Sequence, residues 1–487
     1  MSTAGNILNN RNMKYGTVSV VITICVVLFI VLLNVVLTLL FMKFPLNVDL
    51  TKNRVFEISK DTENILTALD HDVTIYIMNS ESGFISASPQ DYFIQANEVI
   101  RKYAQYSSHM RIEYVDLIRN PDFVSRYPQD QIRMNDIIVT SQYRHKVIYP
   151  SALFNIFSSE YGDYVTSSRA EQAVTSALIN VISNKEFLAL ILSGHGFQDV
   201  LSFLELLLLN NYSVAEINLL TNEIPSEASL LILANPARDL SPEELRKIDN
   251  FLNSGNNRVF FYLASVVQPT VPNLDEFLSE WGIAVDSGLV FETDNNRLIS
   301  PSPYIAIVDY ADDKYSQNMI QRNLQPMIAQ SRPLRVVYNE FRSRFVTPLL
   351  KFSSASGIRP QDAPNDWVPS PSYITGNVPS LLLCTQAGYD ADRNQVKNHV
   401  LVSGSVLALE ESTLGNPYIA NSAYFLDLLG SLTGREDNFY IMDKIIGFTE
   451  LRASYSQIII MIIIFVVLLP LAILSAGITV WWRRRHK

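Results

Sequence analysis

Cysteine is almost missing from this chain. The two examples are Cys25, within a long uncharged apolar segment near the start of the chain, and Cys384, in the charged body that follows it. They are not expected to meet, which excludes an intramolecular disulfide, and two thiols are too few for a four-cysteine zinc site. No Cys-x-x-Cys occurs, so dithiol redox chemistry is excluded. Histidine is scarce as well, with six residues at positions 71, 109, 145, 195, 399 and 486, none in a His-Glu-x-x-His or other ligand spacing. There is no Gly-x-x-x-x-Gly-Lys-Ser/Thr, so the chain is not itself a P-loop ATPase. There is no Gly-x-Ser-x-Gly, the strained elbow that exposes a hydrolase serine. No tandem repeat is present.

Charge is missing from two long stretches. Residues 16–42 carry none between Lys14 and Lys43, and 457–482 carry none before Arg483-Arg484-Arg485. Each is long enough to cross roughly 30 Å of hydrocarbon, which takes about 20 helical residues. The first is longer than the apolar core of a signal peptide and lacks a small-residue cleavage site after Met42, so an uncleaved anchor is expected. Arg11 and Lys14 precede the first span and the basic tail follows the second, which predicts both termini in the cytoplasm. The intervening body then lies outside the cytoplasm. It holds all 48 acids against 32 of the 38 lysines and arginines, a net charge of −16. A body this acidic will not bind nucleic acid through phosphate contacts.

What is present centres on residues 187–264. Phe187–Leu192 is a short apolar run stopped by Ser193-Gly194-His195-Gly196, which suits a strand buried on both faces. Val200–Leu209 follows as a crossover helix, and Ser213–Asn218, Ser229–Ala234 and Arg258–Leu263 read as further strands. Between the last two, Ser241, Pro242 and Glu244 open a helix with a capping box, and Leu245, Ile248, Phe251 and Leu252 share one face. Strands alternating with helices predict a parallel sheet covered on both faces.

Upstream, after a helix over Lys60–Leu69, the order is strand (Val73–Met78), helix (Tyr92–Tyr106), strand (Arg111–Leu117), short helix (Pro121–Tyr127) and a hairpin (Asp136–Thr140, Lys146–Tyr149). This order has a thioredoxin-like look. Glu160–Val181 is expected as a linking helix. Downstream, Asn273–Gly282 reads as a helix and Leu289–Phe291 as a strand. Ser353–Ser380, rich in proline and serine, reads as a surface loop. Strands resume at Ser380–Gln386 and His399–Ser403, and Asn421–Leu432 is an amphipathic helix. The predicted organisation is a tail (1–15), a span (16–42), an N-terminal α/β domain (43–158), a larger α/β domain (159–456), a second span (457–482) and a basic tail (483–487).

The candidate ligand-binding residues are Ser193, Gly194, His195 and Gly196, at the carboxyl end of a parallel strand where ligands of α/β sheets bind. Gly194 to Asp199 is a near miss to the dinucleotide fingerprint, with Glu216 at the end of the next strand. Asp199 stands where the third glycine belongs, and a carboxylate there repels pyrophosphate. The alternatives are a tight strand-to-helix turn, a small-anion site, or a hydrolase-like site using Ser193, His195 and Asp199. No cofactor or metal is expected. The acidic doublets Asp312-Asp313 and Glu410-Glu411 read as solvated surface.

Several stretches resemble one family. Asp49-Leu50-Thr51 with Arg54 and Ile58-Ser59, Leu190–Gly196, Leu231–Pro236 followed by Leu240–Leu245, and Val346–Lys351 are similar to the auxiliary components of gliding-motility-type ABC transporters, the GldG-like proteins. The two-anchor plan is similar too. The resemblance implies a bacterial membrane protein working with an ABC permease and a separate ABC ATPase. It also implies a flavodoxin- or amidotransferase-like α/β domain without amidotransferase chemistry. The family supplies no catalytic residues to carry over. Phe197 departs from its pattern, which often has an acid after the glycine turn.

Overall fold

The computed structural model describes residues 54–445, except 89, 160–161, 184–186, 197–199, 365, 390–392, 417, 436–440 and 442, together with 24–29, 31–36 and a few positions between 468 and 482. Two units are distinguished, Met1–Glu57 and Ile58–Lys487, and the elements below belong to the second. Among the described residues no helix is long and apolar enough to cross a membrane. The predicted spans 16–42 and 457–482 fall largely outside the described residues. The described part of the first, 24–29 and 31–36, is helical.

Ser59 caps α1 (Lys60–Thr67) by accepting from the Thr62 N–H. There follow β1 (Val73–Ile77), α2 (Gln90–Tyr106), β2 (Met110–Tyr114), β3 (Ile137–Thr140) and β4 (His145–Ile148). The sheet order is β2-β1-β3-β4, with β1 and β2 parallel and the rest antiparallel. Phe93, Ala96, Ile100 and Tyr103, whose spacing predicts α2, are all buried in the core beneath this sheet. The linking helix expected over Glu160–Val181 is corrected. Its first part is a strand, β6 (Gly162–Ser168), paired with β5 (Phe154–Ser159), and the helix, α3, runs Ala170–Ile182. Tyr164-Val165-Thr166 is an aromatic and β-branched run, which prefers the pleated ladder. Val174, Leu178 and Val181 of α3 are buried with the β1–β4 core.

The second sheet contains β7 (Phe187–Leu192), β8 (Tyr212–Ile217), β9 (Ala228–Ala234) and β10 (Val259–Leu263). The helices α4 (Leu201–Leu209), α5 (Pro242–Asn253) and α6 (Pro272–Glu280) lie between and after them. Short strands follow: β11 (Ile283–Val285), β12 (Leu289–Glu292), β13 (Ile305–Ile307), β14 (Asp309–Tyr310), β15 (Met327–Ala329), β16 (Leu334–Val336) and β17 (Glu340–Phe341). The chain then forms β18 (Arg344–Lys351), β19 (Ser356–Arg359), β20 (Pro379–Tyr389), β21 (Gln395–Ser403) and the helix α7 (Asn421–Leu432). The sheet order is β14-β18-β20-β21-β10-β9-β7-β8, with β17 added on β18.

From β8 to β21 neighbouring strands pair parallel, whereas the pairings β21–β20, β20–β18 and β18–β14 are antiparallel. The expected parallel sheet is therefore a mixed one. The connection from β20 to β21 is too short for the crossover of a dozen residues or more that a parallel pair needs, so the two strands close as a hairpin. The predicted surface loop over Ser353–Ser380 is also interrupted, because β19 pairs with β12.

The central strands are buried on both faces, and their side chains alternate between two cores. Leu230, Ile232 and Ala234 of β9 enter one, and Leu231 and Leu233 the other. Each buried leucine or isoleucine among them contributes about 1.5–3 kcal/mol. The capping box at α5 is present as predicted, with the Ser241 hydroxyl accepting from the Glu244 N–H and the Glu244 carboxylate accepting from the Ser241 N–H. Ser241→Ala is expected to lower stability by about 1–2 kcal/mol, read as a fall in the urea midpoint with an unchanged slope.

Candidate functional site

The sheet changes direction at β7. Its successor β8 lies on one side and β9 on the other, so the crevice that ligands of open α/β sheets occupy falls between the loops after β7 and β9. Ser193, Gly194, His195 and Gly196 form the first loop, and Asn235 to Ser241 the second.

Ser193 is half-buried and extends the ladder, its N–H donating to the Ile217 carbonyl at 2.8 Å. Gly194 and Gly196 both have φ of +92°, the left-handed region that favours glycine. A Cβ at Gly196 would lie 2.6 Å from the Ala237 Cβ. The two loops touch closely at this point, and a continuous set of hydrogen bonds joins them. The His195 carbonyl accepts from the N–H groups of Ala237 (2.7 Å) and Arg238 (3.1 Å). Arg238 Nη2 donates to the Gly194 carbonyl at 2.6 Å.

The His195 ring faces inward and is 2% exposed. Its Nδ1 lies 3.2 Å from the Arg238 carbonyl and its Nε2 2.9 Å from Glu244 Oε1. Glu244 is also 2% exposed, and its other oxygen, Oε2, accepts from the Ser241 N–H and hydroxyl at 2.9 and 2.8 Å. Burial pushes the Glu244 carboxyl up, but the bonds from Ser241 and from the His195 ring outweigh it and hold the group below its ordinary value. One carboxylate thus caps α5 and anchors the glycine turn.

The consequence is that the two loops flanking the crevice are tied together by the protein's own groups. Ser193, Gly194 and Gly196 keep surface exposure, whereas His195 has both ring nitrogens engaged and is not free to take a proton from Ser193. Phe197, Gln198 and Asp199 lie outside the described residues, so the fingerprint-like stretch is seen only as far as Gly196. Among the described residues no group of three or more His, Cys, Asp or Glu is placed to hold a metal ion. Burial pushes the Cys384 thiol up to about 12 and the His399 ring down to about 3, so neither is a nucleophile or base near neutral pH. A surface cavity of about 370 Å³ lies on the smaller sheet's side of the chain, lined by Gln129, Asp130, Gln131, Arg133 and Tyr149, and not at the turn.

Sequence reasoning finds the turn and finds Glu244 as a capping residue. It misses that Glu244 and Arg238 hold the turn shut. The only sequence signal is a second acceptor oxygen on a buried capping glutamate, which needs a donor from elsewhere.

Residues 190–371 match a family model described as an ABC-type uncharacterized transport system, and residues 52–155 match a Domain of unknown function (DUF7088). No curated protein matches the chain. Among solved structures, the mmIFT52 N-terminal domain is 17% identical, with a TM-score of 0.37 over 52% of this chain and 100% of that one. A protein from Thermoplasma acidophilum, described as part of a GMP synthase, is 12% identical, with a TM-score of 0.25 over 51% of this chain and 95% of that one. Likenesses this partial bear on neither fold nor function. The match over 190–371 takes in the glycine turn, β8 to β10 and the short strands after them, and it supports an ABC transporter auxiliary protein.

Proposed function

We propose that the chain is a non-enzymatic, membrane-anchored accessory subunit of an ABC-type transport complex, of the GldG-like kind. Segments 16–42 and 457–482 are its two spans and dock on the permease, with both termini in the cytoplasm of a bacterial cell. The acidic body between them binds substrate or a partner outside the membrane. A separate ATPase subunit supplies the energy. The observation that carries this reading is the transport-system match over a region whose two switch-point loops are tied to each other by the chain's own hydrogen bonds. The order β2-β1-β3-β4 supports a thioredoxin-like reading of the smaller domain, and the parallel strands β8 to β10 support a flavodoxin- or amidotransferase-like reading of the larger.

Any ligand of the Ser193–Gly196 loop meets Ser193 and the exposed backbone of the two glycines, with His195 acting as the internal anchor. The test is affinity purification of the full chain in mild detergent. Recovery of an ABC ATPase and a permease in fixed proportion is the expected result. Recovery of the chain without either, at expression levels where its own fold is intact, contradicts the proposal.

A further inference from the structure

The stretches that lead toward the two apolar segments meet on one buried side chain. Glu171, in the first turn of α3, is 3% exposed. Its Oε1 accepts from the Ser59 N–H at 2.6 Å and from the Thr62 hydroxyl at 2.7 Å. Its Oε2 lies 2.6 Å from the Lys444 ammonium, which is itself only 16% exposed. Ser59 follows the connection from the first apolar segment, and Lys444 precedes the connection to the second.

Around this carboxylate the contacts are doubled. Lys444 pairs with Ser168 through two backbone hydrogen bonds of 2.8 and 2.9 Å. Asp443 accepts from the Ser167 hydroxyl at 2.9 Å and from Arg169 Nε at 3.3 Å. On the inner side, Thr62 contacts Thr175, which bonds to the Tyr103 hydroxyl of α2. A buried network of this kind is costly to leave half-satisfied, so its members hold or release together.

The same helix grips the larger sheet further along. The Ser176 hydroxyl donates to the Leu209 carbonyl at the end of α4, and Asn211 Nδ2 donates to the Ser176 carbonyl at 2.6 Å. α4 is the helix that follows the glycine turn. A displacement of either tether at Glu171 therefore has a direct route along α3 to the turn between α4 and β8.

We propose that Glu171 is the joint at which both tethers are clamped, so that movement of one loosens or tightens the other and is passed along α3 no further than the turn between α4 and β8. This use of the joint rests on the reading of 16–42 and 457–482 as anchors. The joint itself does not, and the experiment separates the two.

Amide hydrogen exchange is measured on the full chain for wild type, Lys444→Met and Thr62→Val. Lys444→Met removes the charge on one side of Glu171, and Thr62→Val removes one hydroxyl on the other with little change of shape. The expected result is reciprocal. Lys444→Met raises exchange at 59–63 by about fivefold or more, Thr62→Val raises it at 441–445, and β9 and β10 are unchanged in both. Exchange that rises only in the stretch carrying the substitution overturns the joint. Thr62→Val removes a single hydroxyl, so it decides the matter even if Lys444→Met loosens the whole fold. A coupled joint in a chain that recovers no permease would retain the proposal and overturn only the transport reading.

Discussion

Replacing His195 by alanine is expected to lower the stability of the chain by about 3–5 kcal/mol, because it leaves the buried Glu244 carboxylate without its counterpart. That is a large part of the roughly 5–15 kcal/mol by which folded domains are stable. The expectation follows from burial, not from catalysis. His195 and Glu244 are each 2% exposed, 2.9 Å apart, and lie where two loops are also joined by backbone hydrogen bonds and by the Arg238 guanidinium. Glu244→Gln separates the charge from the cap, since an amide still accepts from Ser241. The double variant is expected to cost less than the sum of the two single ones, with a coupling of about 1–3 kcal/mol in a urea denaturation cycle. Strict additivity would mean that the pair contributes nothing as a pair. The pH dependence has a definite sign. Glu244 is held below its ordinary 4.5 in the folded chain, so its contribution is fully present above that value and is lost as the pH falls through the folded one. Wild type is expected to lose stability more steeply than Glu244→Gln on acidification below pH 4.5.

The second large effect belongs to Gly196. Gly196→Ala places a Cβ 2.6 Å from the Ala237 Cβ at φ +92°, so backbone strain and a clash of two loops add. The expected loss is about 2–4 kcal/mol, from about 1–2 for the left-handed conformation and the rest for overpacking. Gly194 is the internal comparison. Its φ is the same, but the nearest atom to a Cβ is the Asn218 side-chain amide at 3.0 Å, which can move aside. Gly194→Ala is expected to cost only the conformational part. Equal thermal shifts for the two variants would show that the contact with Ala237 does not hold the loops together.

The parts of the fold legible in the sequence are those with strong local signals. β7, β9 and β10 carry unbroken apolar runs, α5 a 3.6-residue period with a cap and α7 such a period without one, and all five lie within a residue or so of their predicted bounds. Of the strands between 283 and 359 only β12 is foreseen, at Leu289–Phe291; most are two to four residues long, too short for a period to reveal, and they are stabilised by partners far along the chain. The antiparallel half of the main sheet is hidden for a related reason. The apolar runs of β20 and β21 read as buried strands in either direction, and only the short connection between them fixes the sense. At the site, the turn and both glycines are visible in the sequence, and so is the capping glutamate. The pairing of His195 with Glu244, 49 residues apart, is not, because nothing local to either residue names the other. Glu171 gives no sequence signal at all. It reads as an ordinary acid in the middle of the helix expected over Glu160–Val181, and its role comes from three stretches that fold around it.

The central claim is that two ends of the chain lie in the membrane and hold the acidic body beyond it. Its most direct test uses a single new thiol. Val368 is 74% exposed, and the native Cys384 is buried, with its thiol pushed up to about 12, so it stays silent at neutral pH. In a Val368→Cys variant with Cys25→Ser, a membrane-impermeant maleimide applied to cells whose outer barriers are opened but whose plasma membrane is intact is expected to label the chain fully. Labelling that appears only after the plasma membrane is permeabilised would place the body in the cytoplasm and contradict the account.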